Sequence, residues 1–253
     1  MATGISDDMI MMYVIHDALR RDLEHLTRAV ETGDLVDPQR RQSANDGWEL
    51  FKYQLHHHHT GEDIALWPKV RPRLAGRPDD LALLDEMEAE HVRIGPLIEE
   101  IDSAVADPES GRDRLPQATA VFRQELADHL GHEEREAAPV IESVMTPKDW
   151  KEFSRSQQKS LGGIKGAAEF FPYIMSGADP ERGSQALSIF PPPLRLLIRR
   201  VCGNRVTPSE GCGTDRCARS ASRLPSLAGS AVEQTQSGGA AWGRSRSTRH
   251  PCL

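Results

Sequence analysis

Residues 7–145 contain four long segments in which apolar residues recur at every third or fourth position. This period is typical of an α-helix that buries one face. The four predicted helices cover roughly residues 7–33, 38–68, 79–106 and 115–145. Four antiparallel amphipathic helices with short connections predict an all-α, up-down-up-down four-helix bundle.

Local signals set the predicted ends of these helices. Ser6 and Asp37 are predicted N-terminal caps, and Gly33 is a predicted stop for the first helix. The second helix is expected to end near Pro68, followed by a loop to about residue 78. Proline lacks a backbone N–H, so Pro96 predicts a kink within the third helix.

The rest of the chain has weaker patterns. Thr146 opens a shorter predicted helix that ends near Leu161, and helical stretches follow at about 167–176, 180–189 and 194–201. Beyond residue 205 the chain is rich in Arg, Ser and Gly without periodicity, which predicts disorder. The predicted organisation is therefore a bundle over 1–145, a helical extension over 146–204 and a disordered tail over 205–253.

Polar residues occur on the apolar face of every bundle helix. They comprise one histidine on each helix and two glutamates: His16, His58, His91, His129, Glu62 and Glu133. Each glutamate follows a histidine by four residues, so its carboxylate lies one turn away on the same side of the helix. Viewed down the helix axis, His58 and His59 lie on opposite sides of Glu62, so the His59 side chain can also face the core.

Two buried carboxylates require a compensating positive charge. A buried carboxylate costs several kcal/mol unless it is paired, and no Lys or Arg lies near these positions on the apolar faces. Histidine nitrogens and carboxylate oxygens suit Fe, Zn, Mn or Cu. The candidate histidine and glutamate ligands are more numerous than the four ligands of one tetrahedral zinc, and their number therefore favours two metals.

The remaining polar candidates are expected to lie outside this site. The other histidines of the region are predicted to be exposed or peripheral: His25, His56, His57 and His132. Three acidic residues near the end of the fourth helix are expected to form a solvated face: Glu134, Glu136 and Glu142. Glu88 with His91 matches the Glu-x-x-His motif of ferritin-like di-iron bundles, but that fold needs two such motifs and Glu88 lies off the buried face.

Charge and composition exclude several other classes of protein. The net charge is −7, and residues 1–194 carry 21 basic against 35 acidic residues, which argues against nucleic acid as the partner. No apolar run approaches the roughly 20 residues of a membrane helix, and the acidic start MATGISDD is unlike a signal peptide. The four cysteines all follow residue 200 and make no disulfide framework, so we expect a cytoplasmic protein.

Four sequence segments together resemble the hemerythrin-like HHE cation-binding family, and residues 146–200 resemble the helical extension of some of its bacterial, especially actinobacterial-type, members. The four segments are VIHDALRRDL, HHHHTGEDIALWP, MEAEHVRIGPL and HLGHEEREAAPVIE, which contain the core histidines and glutamates. The resemblance implies a non-haem di-iron centre with Glu62 and Glu133 as bridging ligands. It assigns the histidines to two irons: His16 and His58 to one, and His59, His91 and His129 to the other.

The chain departs from the oxygen-carrying members of that family. Those members have two histidines four residues apart on the third helix, whereas Met87 stands four residues before His91 here. They also have an aspartate five residues after the last histidine, whereas Glu133 follows His129 by four. His59 can replace the missing histidine, but the two departures argue against reversible oxygen carriage.

Three functional interpretations remain open at this stage. The first is a di-iron protein that interacts with O2, peroxide or NO, with peroxide decomposition as an activity that the family allows. The second is a non-enzymatic module for iron, oxygen or redox sensing or for iron storage. The third is a helical scaffold without metal, which would need neutral or exposed glutamates. The sequence contains no dedicated proton donor, so it leaves enzymatic turnover undecided and no catalytic residue assigned.

Overall fold

The computed structural model of the protein describes residues 4–107 and 109–203, and within them the fold is all-α, as predicted. Two π-helical turns interrupt long helices: Glu62–Leu66 between α2 and α3, and Glu133–Ala137 between α5 and α6. A short 3-10 turn, Arg71–Leu74, follows α3. The α-helices are α1 (Ile10–Glu31), α2 (Arg41–Gly61), α3 (Trp67–Val70), α4 (Pro78–Ala106), α5 (Gly111–His132), α6 (Ala138–Val144), α7 (Pro147–Ser160), α8 (Gly163–Met175), α9 (Pro180–Ser188) and α10 (Pro192–Gly203).

The predicted caps act one turn before the helices that they introduce. The Met9 N–H donates to Ser6 Oγ at 3.3 Å, and the Gln39 N–H donates to Asp37 Oδ1 at 2.8 Å. Each capped turn leads directly into α1 or α2, so both helices begin later than predicted. Gly33 has a φ of 75° just after α1, where a left-handed residue ends a helix at little cost.

The predicted helix end near Pro68 is wrong. The chain stays helical through α3 and the 3-10 turn, so the loop expected over 68–78 begins only after Leu74. Pro68 lies in the first turn of α3, where a helix does not need the missing N–H. Pro139 has the equivalent place in α6. Pro96 lies inside α4, and the kink expected there stays a prediction.

The apolar faces of α1, α2, α4 and α5 form the bundle core. Trp48 and Phe51 stack at a ring-centroid distance of 5.5 Å, and Phe122 meets both edge-on at 5.8 Å. The start of α5 lies against the end of α4, where a Cβ at Gly111 would overlap the carbonyl oxygen of Ala104. A second apolar cluster surrounds the buried Trp67 indole. These contacts agree with the predicted bundle, while the alternating direction of its helices stays a prediction.

Helices α7–α10 extend the bundle after residue 146. Thr146 and Asp149 form a capping box at the start of α7, in which each side chain accepts a hydrogen bond from the backbone N–H of the other residue. Helices α8 and α9 pack on α1, where the Tyr173 hydroxyl donates to Asp22 at 2.8 Å and Arg182 pairs with Asp17 at 2.7 Å. The predicted disordered tail lies outside the described residues, and the two boundaries between the three predicted segments stay predictions.

Helix length and polarity also bear on membrane insertion. Within residues 4–107 and 109–203, none of the helices combines the length and the apolar character that a bilayer-spanning segment requires.

Candidate metal centre

The seven residues expected to ligate metal all have their side chains in the interior of the bundle. The structure brings them into two groups, each with its candidate ligand atoms within 4.8 Å of one another. The first group combines two histidines with two glutamates: His16, His58, Glu62 and Glu133. The second contains three histidines: His59, His91 and His129. This division matches the one implied by the family resemblance, although the role of these residues as ligands stays a prediction.

The first group draws its members from four elements of the bundle. His16 comes from α1 and His58 from α2, and each glutamate is the first residue of a π-helical turn. His16 Nε2 lies 2.9 Å from His58 Nε2 and 3.2 Å from Glu133 Oε2. These contacts bring two imidazoles and the Glu133 carboxylate together, and an oxygen of Glu62 lies within 4.8 Å of the other three ligand atoms. This arrangement suits a transition-metal ion.

The second group is a compact set of three imidazole rings from α2, α4 and α5. The rings of His59 and His91 stack at a centroid distance of 4.0 Å. The ring of His129 meets His59 edge-on at 5.1 Å and His91 at 4.8 Å. Met87 lies instead in the apolar cluster around Trp67. Met87 occupies the position at which the oxygen-carrying members of the resembling family have a second histidine on the third helix. In this chain the third imidazole of the group comes from His59 instead.

Glu62 lies between the two groups. Its Oε1 is 3.2 Å from His58 Nδ1 in the first group. Its Oε2 is 3.5 Å from His91 Nε2 in the second group. The side chain is 1% exposed, so both oxygens are shielded from bulk water. A carboxylate that presents one oxygen to each group has the disposition of a bridging ligand.

Several buried polar atoms in these groups lack hydrogen-bond partners among the described residues. They are the Nε2 atoms of His59, His91 and His129 and both carboxylate oxygens of Glu62 and Glu133, whose 3.2 Å contacts with His58 and His16 do not have hydrogen-bond geometry. Each such atom costs about 1–3 kcal/mol when it is left without a partner. Because all of them are good ligand atoms for a metal, the donor set fits a bound cation.

The charges of the two glutamates lead to the same conclusion. Burial and the neighbouring charges of Glu133 and Asp63 raise the pKa of Glu62 well above its usual value. Burial also opposes ionisation of Glu133, but its contact with His16 outweighs burial and lowers its pKa. Without a cation, the protein groups therefore stabilise only one of the two carboxylates in its charged form.

The histidines are also tuned by burial. Burial, together with neighbouring histidines, lowers the pKa values of His58 and His59 well below the usual value, so both are neutral near pH 7. A neutral imidazole has the free lone pair that a metal needs. Burial likewise opposes a charge on His16, but its contacts with Glu133 and Glu134 outweigh this effect and raise its pKa.

The prediction that Glu134 lies on a solvated face is wrong. Its side chain is 17% exposed, and its Oε1 lies 2.9 Å from His16 Nδ1 and 2.7 Å from Arg20. Burial opposes its ionisation, yet the contacts with His16 and Arg20 lower its pKa to about 2. The sequence prediction failed because the periodicity of one helix does not indicate that His16 and Arg20 of α1 cover this flank of it.

Two further carboxylates that sequence reasoning missed contact the second group. Asp63 Oδ1 lies 2.9 Å from His91 Nδ1, and Glu90 Oε2 lies 2.8 Å from His129 Nδ1. Asp63 directly follows Glu62, just as Glu134 follows Glu133, so the acidic pair four and five residues after His58 and again after His129 was the available signal. Glu90 had no comparable signal, because its partner lies on another helix.

The residues expected outside the site have varied surroundings. His25 is 52% exposed, and His56 is exposed. His57 differs from its prediction, since it is half-buried with its ring 6.4 Å from Phe170. His132 is peripheral, as predicted, and contacts Glu90 at 2.9 Å.

Glu88 also lies outside the two groups. It pairs with Arg71 at 2.9 Å on the outside of α4. The ferritin-like interpretation of Glu88 and His91 therefore has no support in this geometry.

The fold and the site together define an all-α protein with a buried histidine and glutamate site suited to cations. A family model described as the hemerythrin HHE cation binding domain matches residues 10–141, which is more than half of the chain. The chain therefore belongs to the hemerythrin HHE cation-binding domain family, and the resemblance seen in the sequence is confirmed. Searches of curated proteins and of solved structures found no match.

Proposed function

We propose that the chain holds a non-haem di-iron centre in which Glu62 and Glu133 bridge the two irons. Each group of histidines ligates one iron. His16 and His58 bind the first iron, and the second is bound by His59, His91 and His129. The observation that carries this proposal is the position of Glu62, with one oxygen beside His58 and the other beside His91.

The chemistry of the donor set supports iron. Five imidazoles and two carboxylates are too rich in nitrogen for Ca²⁺ or Mg²⁺, which prefer oxygen ligands. They are also too many for one tetrahedral zinc site, and the two separate groups favour two ions. Imidazole and carboxylate together are a common ligand combination for non-haem iron.

The proposed function of this centre is to react with a small ligand: O2, peroxide or NO. Bound iron would supply redox chemistry and an open coordination position for that ligand. The protein's own residues hold the donor atoms in place and keep bulk water away, since the side chains of His16 and Glu133 are fully buried. Decomposition of peroxide is the activity that we propose for the iron-loaded protein.

Sensing or storage is the second candidate, and one observation favours it. The candidate ligands come from α1, α2, α4 and α5 and the π-helical turns that continue them, so metal binding would tie all four bundle helices together. Metal binding that links separate elements contributes directly to folding stability. Loss of the metal would then loosen the bundle and change its surface, as a sensor requires.

Elemental analysis of protein produced in iron-rich medium tests the proposal. We expect about two irons per chain, with charge-transfer absorption that peroxide perturbs. If the protein contained no iron and its stability were the same with and without added iron, the di-iron centre would be refuted. That result would favour the metal-free scaffold instead.

Peroxide turnover then separates the two functions. Repeated consumption of peroxide by the iron-loaded protein supports the enzymatic proposal. A single stoichiometric spectral change, without turnover, supports sensing or storage. The Glu62→Gln variant serves as the matched control, because it keeps the size of the side chain but removes the proposed bridge.

A further inference from the structure

Three histidines of the site contact carboxylates that are not themselves candidate ligands. His16, His91 and His129 each have Nδ1 within 2.9 Å of such an oxygen. We call the three residues that provide these oxygens the outer carboxylates: Asp63, Glu90 and Glu134. In every case Nδ1 faces the outer carboxylate, so the opposite ring nitrogen, Nε2, is directed towards the centre of the site.

We propose that the outer carboxylates are positioning residues, which hold three histidine rings so that Nδ1 makes the outward hydrogen bond and Nε2 is the nitrogen that binds metal. This inference rests on the proposed metal centre. An ionised carboxylate can only accept hydrogen bonds, so the ring nitrogen beside it must carry the proton. The other nitrogen of a neutral imidazole then has the lone pair, and the outer contact decides which nitrogen can coordinate.

The outer carboxylates are themselves held in place. Trp67 Nε1 donates to Asp63 at 3.2 Å. Arg20 donates to Glu134 at 2.7 Å. His132 Nδ1 lies 2.9 Å from the Glu90 oxygen that does not face His129. Each outer carboxylate is therefore restrained by a second partner besides its site histidine.

The three contacts also join neighbouring elements of the bundle. Asp63, in the π-helical turn after α2, reaches His91 on α4. Glu134, in the turn after α5, reaches His16 on α1. In both turns the first residue faces the site as a candidate bridging ligand and the second orients a histidine of another helix. The Glu90 contact joins α4 to α5 in the same manner.

Alanine variants of the outer carboxylates test this role through metal affinity, measured by competition with a chelator. Loss of an outer partner of a metal-binding histidine costs roughly 10–100-fold in affinity, and we expect that range for Asp63→Ala, Glu90→Ala and Glu134→Ala. The variants Asp63→Asn, Glu90→Gln and Glu134→Gln keep an oxygen that can accept a hydrogen bond from Nδ1–H, so they should recover much of the loss. The matched control is Glu88→Ala on α4, which removes a carboxylate that pairs with Arg71.

A second measurement tests the same role without metal. NMR of the ring nitrogens of His91 and His129 in chelator-treated protein reports which nitrogen carries the proton. We expect Nδ1–H in the wild type and a shift towards Nε2–H in Asp63→Ala and Glu90→Ala. Unchanged protonation and unchanged affinity in these variants would overturn the inference, and so would an equal loss in Glu88→Ala. If the wild type bound no metal, the di-iron proposal would fail while the NMR result still decided the positioning role.

Discussion

Glu62 and Glu133 are each the first residue of a π-helical turn, and each is followed six residues later by a proline. In both turns the backbone carbonyl of the glutamate accepts the N–H five residues ahead. The next residue, Pro68 or Pro139, has no N–H, and its ring disfavours the α-helical position of the carbonyl four residues before it. The wider turn relieves this conflict. In each turn the first two residues are acidic, and both contact histidines of the site. Such turns are frequent at functional sites.

Removal of a candidate bridging carboxylate should lower metal content and metal-dependent stability together. We expect Glu62→Gln and Glu133→Gln to bind less iron. They should also lose most of the stabilisation that iron gives the wild type, which is about 2.7 kcal/mol at a free metal concentration 100 times the dissociation constant. Elemental analysis and thermal unfolding with and without chelator measure both effects.

The matched control for this pair is Glu142→Gln on the exposed side of α6. It should retain full iron content and the full effect of chelator. Normal iron stoichiometry in both Glu62→Gln and Glu133→Gln would rule out the bridging assignment.

His59 should matter for metal binding, whereas its neighbour His56 should not. The His59 ring stacks on His91 within the three-histidine group, while the His56 side chain is exposed. We expect His59→Ala to lose metal from the second group and to lower the iron content towards one per chain. His56→Ala should keep the wild-type content. Equal iron content in the two variants would show that His59 is not a ligand.

Metal binding should release protons and should strengthen as the pH rises. The pKa values of Glu62 and His16 are both raised, Glu62 by burial and negative neighbours and His16 by its contacts with Glu133 and Glu134, which outweigh burial. Protons therefore compete with the metal for both ligands, and lowering the pH favours the protonated forms.

Calorimetric titration in two buffers of different ionisation enthalpy counts the released protons. Glu62→Gln should release fewer of them than the wild type. Tighter binding at lower pH, or no proton release, would contradict this assignment of protonation states.

Two glycines should respond to alanine in opposite directions. Gly47 lies on the exposed side of α2, and a Cβ added there would meet nothing within 4 Å, so Gly47→Ala should stabilise the protein by about 0.5–1 kcal/mol. A Cβ at Gly111 would overlap the Ala104 carbonyl, so Gly111→Ala should destabilise it by more than about 1 kcal/mol. Chemical denaturation measures both changes, and similar midpoints for the two variants would contradict the close approach of α4 and α5.

The helical fold and the polar residues of the buried faces could be predicted because their signals are local. Helix periodicity depends only on neighbours three or four residues away, and it identified His16, His91 and His129 as buried without any knowledge of their partners. One of the errors was local as well. The predicted end at Pro68 failed because the chain stays helical through the π-helical turn before it, and Pro68 then lies in the first turn of α3. Pro139 follows Glu133 at the same spacing and has the same place in α6.

The sequence by itself determined the helices, the acidic balance and the residue types that make metal chemistry available. Only the tertiary structure decided which oxygen of Glu62 faces which histidine, and that Glu90 meets His129 across two helices. Periodicity defines which residues share a face of one helix. It does not define the axial register or rotation of one helix against another, because these follow from the packing of the whole core.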